Sequence, residues 1–491
     1  MKKILAGAAA LLGTAVSAQA ADLAVKAPYL KAPVAMIYDW TGFYVGVNAG
    51  VGIGRDYTRV AIPAGLSFEA SYLNPWGGLG GGQVGYNYQT ASSLLGAPLV
   101  FGVEADFQGT GMRDNFNCLI GCLPAQNNNI NQKLDWFGTV RGRVGIATGP
   151  VLSYVTGGYA YGSVKTTYTE TLPPGGAANT GAFTSNQNRG GWVYGTGVEA
   201  SLGGNWTGKI EYLWLNLGDR LDQFALNGFA HAISTDIREQ IFRVGLNYRI
   251  NGNSGAYVPP PASNWAGFYL GGNFGGGIGR DHTAFALAGP AGISTELFNL
   301  SPDGFNGGIQ AGYNWQSANF VFGVEADIQG SSQRDNRACV QTCNPLVPPI
   351  IFAAYDATLP WFGTVRGRAG YSVGSTLYYA TGGYAYGNVK TKIAANFLGS
   401  PASAEISNTR SGWTVGGGIE TPFTFLGIFG PNWTSKTEYL YVDLGTSSGA
   451  FLIPSVAGGP TIIAANATQV HEHIFRTGLN YHFNSPVVAK Y

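Results

Sequence analysis

A chain of 491 residues with 28 basic and 27 acidic side chains has a formal net charge of +1, a balance with no electrostatic footprint for nucleic acid or a strongly anionic surface. Only 11% of it is charged, against roughly 25% in ordinary globular proteins, and 75 glycines with 13% aromatic residues stand in place of that charge. Beyond the N-terminus no apolar run reaches the roughly 18 to 20 residues of a membrane helix, which excludes a helical membrane protein.

The first element, MKKILAGAAALLGTAVSAQA (1–20), joins two lysines, an apolar middle and a small-residue end, the pattern of a secretory signal peptide cut after Ala20. Residues 21–39 form a proline-containing linker, since proline stiffens the chain and withholds a ladder hydrogen bond. A first unit then runs from 40 to 250. Its local period is two: Phe43, Val45, Val47, Ala49 and Val51 share one strand face, and Tyr44, Gly46, Asn48 and Gly50 share the other. The same criterion predicts eight strands, near 42–53, 79–89, 99–109, 133–147, 151–165, 191–202, 206–217 and 240–250. Long polar connections (54–78, 110–132, 166–190, 218–239) alternate with short ones at 148–150 and 203–205.

After a proline-rich linker (251–264) the pattern returns in a second unit, 265–483, followed by a tail at 484–491. WTGFYVGVNAGVGIGRD (40–56) reappears as WAGFYLGGNFGGGIGRD (265–281), VFGVEADFQG (100–109) as VFGVEADIQG (321–330), and IFRVGLNYRI (241–250) as IFRTGLNYHF (474–483). An even strand number, alternating long and short connections and an exported chain predict an all-β fold, the transmembrane antiparallel up-and-down β-barrel of an outer membrane. Two tandem eight-stranded barrels are the expectation, because each unit is complete; the alternative is one sixteen-stranded barrel around a water channel.

Parity then places the charges. In DWFGTVRGRVGI (135–146), Trp136, Val140, Val144 and Ile146 fall on one face and Phe137, Thr139, Arg141 and Arg143 on the other. Arginine facing lipid at mid-bilayer costs about 2–4 kcal/mol, so the arginine face belongs inside. Applied to every strand, this predicts a structural ion-pair cluster in the first lumen, with Glu104, Asp106, Glu199 and Glu211 against Arg141, Arg143, Lys209 and Arg243. The second lumen repeats it with Glu325, Asp327, Glu420 and Glu438 against Arg366, Arg368, Lys436 and Arg476.

The W-x-G-F-Y-x-G opening, the G-V-E-A-D centre, the W-x-x-x-x-R-x-R strand and the R-x-G-L-N-Y close resemble the outer-membrane β-barrel family of alphaproteobacterial surface antigens, often called outer-membrane immunogenic proteins. The likeness covers both units, whereas family members are typically single barrels, and here NSPVVAKY follows the last strand. The resemblance implies abundant, non-catalytic outer-membrane proteins that contribute to envelope integrity and surface contact, some of them porin-like.

Remaining features carry less chemistry. Cys118 and Cys122, and Cys339 and Cys343, sit in the connection between the third and fourth strands of each unit, and in an oxidising compartment such spacing predicts local loop disulfides. His471 and His473 share a face, but the first unit has Arg238 and Gln240 there, so no metal site is expected. Trp40, Trp76, Trp136, Trp192, Trp206 and Trp433 read as interfacial girdles. No nucleophile with a base recurs in both units, so neither catalysis nor a cofactor is expected. The expected partners are outer-membrane lipid and lipopolysaccharide, with host or surface ligands at the external loops. A porin and a loop-borne adhesin are the alternative functions.

Overall fold

The computed structural model describes residues 38–483 apart from 63–66, 95–96, 118–126, 172–179, 251–262, 290–291, 341–351, 398–399, 424–428 and 454–461. The leader, both flanking linkers and the C-terminal tail fall mostly or wholly outside these residues.

In the first unit eight strands follow one another around a ring: β1 (Gly42–Gly54), β4 (Trp76–Leu94), β5 (Ala97–Thr110), β7 (Asn127–Thr148), β8 (Val151–Thr171), β9 (Thr180–Gly203), β10 (Trp206–Leu226) and β11 (Phe229–Ile250). β11 pairs back onto β1, Phe43 opposite Ile250 through Gly54 opposite Glu239, and the ring closes. Closure leaves the ring no unpaired edge, as a bilayer requires. Among the described residues, three short strands lie outside it. β2 (Asp56–Ile62) and β3 (Ser67–Leu73) form a hairpin against β11, and β6 (Arg113–Asn117) pairs with β4 and β7.

The second unit repeats this plan. Its ring is β12 (Gly267–Gly279), β15 (Asp303–Ser317), β16 (Phe320–Val340), β17 (Phe352–Val373), β18 (Thr376–Phe397), β19 (Ser400–Pro422), β20 (Trp433–Ile453) and β21 (Ile462–His482), with β21 closing on β12. A hairpin of β13 (Asp281–Gly289) and β14 (Gly292–Leu300) again lies against the last strand. All pairings are antiparallel, and the duplication is therefore two eight-stranded barrels and not one of sixteen strands.

The strands are longer than their period-two cores. Much of what the polar composition predicts as connections continues the ladder past the barrel rim. Residues 218–239 are mostly the ends of β10 and β11, joined at Asn227-Gly228 with φ of 52° and 84°. Both central residues at positive φ are what a tight hairpin turn demands, and Asn-Gly supplies them at least cost. The other end carries the short turns, such as the one at Gly149-Pro150, and that end faces the periplasm by the rule for outer-membrane barrels.

Faces sort as the pleat requires. Val45, Val47, Val103, Val140 and Val155 are exposed on the outside of the first ring, while Tyr44, Asn48, Glu104, Arg141 and Thr156 point inward and are buried. Glycine makes room for the long inward side chains. A Cβ at Gly50 would come within 2.8 Å of the Cβ of Arg243, and one at Gly102 within 3.0 Å of the Arg143 guanidinium.

Candidate functional site

Cross-strand register builds the lumen cluster. Glu104 on β5 lies directly opposite Arg141 on β7, Glu199 on β9 opposite Lys209 on β10, and Glu211 on β10 opposite Arg243 on β11. Alternation turns all of these inward, where a barrel of eight strands is just wide enough for side chains to meet in the middle.

Arg141 is the hub. Its Nη2 donates to Glu104 and to Asp106 Oδ2 (2.9 Å), its Nη1 to Glu211 Oε1 (3.1 Å) and its Nε to Thr139 Oγ1 (2.9 Å). Arg243 closes the other side, with Nε 2.7 Å from Glu211 Oε2 and Nη2 2.9 Å from Asp106 Oδ2. The Lys209 ammonium lies 2.9 Å from both Glu104 oxygens. Arg143 pairs with Glu199 at 3.0 Å and donates to Asn87 Oδ1 at 2.8 Å, its guanidinium held between the rings of Tyr44 and Tyr154. The second barrel reproduces the geometry with Arg366 as hub to Glu325, Asp327 and Glu438, Lys436 on Glu325, Arg368 on Glu420, and Arg476 on Asp327 and Glu438.

All sixteen side chains are at most 4% exposed. Stranding any one of them would leave an uncompensated buried charge, which is why mutual pairing is the condition for their presence.

Several partners were not singled out by the sequence argument. The hydroxyls of Tyr44 and Tyr154 donate to Glu104 Oε2 and Glu211 Oε1, each at 2.8 Å, and Tyr269 and Tyr379 do the same for Glu325 and Glu438. Asn247 and Thr207 donate to Glu199. Tyr44 shares the polar face of β1, so inward parity was the available signal.

The tryptophan girdle needs one correction. Trp76, Trp192 and Trp206 are exposed on the outside, but Trp40 is fully buried. It packs with Tyr38, Val100, Leu152 and Tyr154 across the periplasmic end of the lumen and donates its Nε1 to the Gly149 carbonyl (3.1 Å). Arg249 lies over its ring. The preference of indole for interfaces misled the assignment, because a plugged barrel end offers the same mix of apolar contact and one polar partner. Trp265 takes this position in the second barrel and donates to Ser372 Oγ.

The four cysteine side chains lie outside the described residues. His473 shares a 2.6 Å hydrogen bond with the Tyr439 hydroxyl, and His471 stands 3.6 Å from Asp443.

The family model of the outer membrane protein beta-barrel domain matches twice, over residues 6–249 and 254–483. The chain is similar to the 31 kDa outer-membrane immunogenic protein of Brucella melitensis, 35% identical over 254 residues that make up 50% of this chain and 98% of that protein. It is also similar to the 22 kDa outer membrane protein of Rhizobium leguminosarum, 33% identical across 37% of this chain and 66% of the relative. The 25 kDa outer-membrane immunogenic protein of Brucella melitensis is 27% identical across 51% and 98%. With two copies of the domain and these relatives, the chain belongs to the outer membrane protein beta-barrel family and is an outer-membrane protein of the surface-antigen type.

Proposed function

We propose that this protein is a non-enzymatic structural component of the outer membrane, two rigid closed barrels that strengthen the envelope and present hairpins at the surface. The observation that carries this reading is the pairing of every member of the two lumen clusters within its own barrel, with Trp40 and Trp265 packed across the periplasmic ends. A diffusion pore would instead need unpaired charge lining a hydrated constriction. Refolded protein in planar bilayers tests it: stable conductance is absent if the lumens are closed, and steady ohmic steps would establish a porin.

A surface-contact role is favoured by Leu221 and Leu452, exposed on the extensions of β10 and β20, and by Leu297, exposed on the β13–β14 hairpin, all on the same side as the Asn227-Gly228 tip. Changing all three to serine should lower adherence of cells displaying the protein to host or abiotic surfaces. Unchanged adherence would remove this reading and leave the structural one standing.

A further inference from the structure

Phe242 and Val244 share the outward face of β11, yet Val244 is 58% exposed and Phe242 only 4%. Its counterpart Phe475 is similarly covered, at 7%. An outward phenyl on a lipid-facing strand is buried only if something lies against it, and here each barrel covers the other. The Tyr212 ring stands 5.8 Å from the Phe475 ring, and the Phe242 ring 5.5 Å from the Tyr439 ring. Tyr212 and Tyr439 occupy the same place in their units, in EYLW and EYLY, as Phe242 and Phe475 do in IFR.

The outer rim repeats the exchange with charge. Arg55 of the first unit pairs with Asp335 of the second (2.5 Å), and Arg280 of the second pairs with Asp114 of the first (3.5 Å). Arg55 and Arg280 both end a GIGR run, and Asp114 and Asp335 both begin a DN pair. Arg55 also reaches Asp303 at 3.2 Å, while Arg280 lies over the Trp76 ring. Trp76 and Asp303 are the register partners of Ile53 and Ile278 at the same ladder position. Phe116 and Arg337 are equivalent to each other, two residues past those aspartates, and they meet, the guanidinium 4.3 Å from the ring centroid.

Contacts in which i meets j and j meets i, with equivalent positions meeting on the axis, define a two-fold, self-complementary interface. We infer that the two barrels are a covalently joined isologous pair: each unit carries a complete dimerisation face, and the seam holds the barrels together independently of the linker. The partner this face fits is a second copy of the same unit in the same orientation, since rim residues meet rim residues.

The experiment uses the full chain with a specific protease site placed within 251–262, refolded in detergent and checked for heat-modifiable migration before and after cutting. The expected result is that the cut units co-elute. Changing Arg55→Asp together with Arg280→Asp should weaken their association by about 10-fold or more, and adding Asp114→Arg and Asp335→Arg should restore it. When a cut sample with a tagged first unit is incubated with an untagged one, capture should also recover untagged first units, the mark of a self-complementary face. Immediate separation of folded, cut units would overturn the seam. Exchange only into first–second pairs would overturn its self-complementarity.

Discussion

Arg141 and Glu211 stand on strands three places apart in the ring, β7 and β10, and meet across the lumen with Nη1 3.1 Å from Oε1. Glu211 also accepts from Arg243 and Tyr154, so this contact ties together strands that share no ladder hydrogen bond. In a tube whose backbone is already satisfied by its neighbours, such cross-lumen contacts resist flattening of the ring.

Removing the hub should therefore unfold one barrel and spare the other. Arg141→Met leaves Glu104, Asp106 and Glu211 short of charge and should cost about 3–5 kcal/mol. A lysine cannot replace the forked contacts, so Arg141→Lys should recover only part of this. Urea unfolding followed by heat-modifiable migration should show the first barrel's midpoint falling while the second's stays. Equal loss in both barrels would contradict independent cores.

Strand parity makes the adjacent position a control on the opposite face. Val140 precedes Arg141 but faces outward at 54% exposure. Val140→Arg should destabilise by about 2–4 kcal/mol in a bilayer, because lipid offers the guanidinium no partner. The same variant should lose much of that penalty in a short-chain detergent whose thin micelle lets the side chain reach water. An arginine tolerated there in both media would mean that Val140 does not face hydrocarbon.

The ring and its lumen were legible because both depend on period-two alternation and on duplication, which residues such as Glu104, Arg141 and Arg243 display twice. The outer hairpins were not, since Ser, Thr, Asn and Asp on β10 and β11 beyond Leu217 suit solvated strands as well as loops; Asn227-Gly228 was the turn signal available there. Trp40 was misplaced because its neighbours Val100, Leu152 and Arg249 come from distant parts of the chain. The seam was hidden for the same reason: Phe242 has the pattern of any lipid-facing residue until a second barrel lies against it.

Glycines on the barrel wall should divide sharply by what a methyl group would meet. A Cβ at Gly158 would overlap the Val140 carbonyl and lie 2.7 Å from the Arg141 Cα, both backbone, whereas one at Gly142 finds its nearest neighbour at 4.0 Å. Gly158→Ala should abolish efficient refolding and Gly142→Ala should refold normally, as read by the fraction of heat-modifiable protein. Normal refolding of Gly158→Ala would show that β7 and β8 can spread apart there.

The two barrels also differ in one buried carboxyl. Glu472 accepts a hydrogen bond from Gln333 Nε2 at 2.5 Å, but the equivalent of Gln333 in the first barrel is Met112, and both oxygens of the fully buried Glu239 lack a hydrogen-bond partner among the described residues. Gln333→Met should strand Glu472 and cost about 1–3 kcal/mol, the penalty of a buried acceptor left unmade. Met112→Gln should act in the opposite direction and gain about 1 kcal/mol, less than the loss at the other site because the thioether's apolar burial is given up for the hydrogen bond. The flanking side chains favour the exchange, since Leu134 and Ile241 around Met112 correspond to Leu359 and Ile474 around Gln333. Urea midpoints of the two barrels in the same full-length chain give both values under one condition. If Met112→Gln destabilised the first barrel as much as Gln333→Met destabilised the second, packing rather than hydrogen bonding would govern this position.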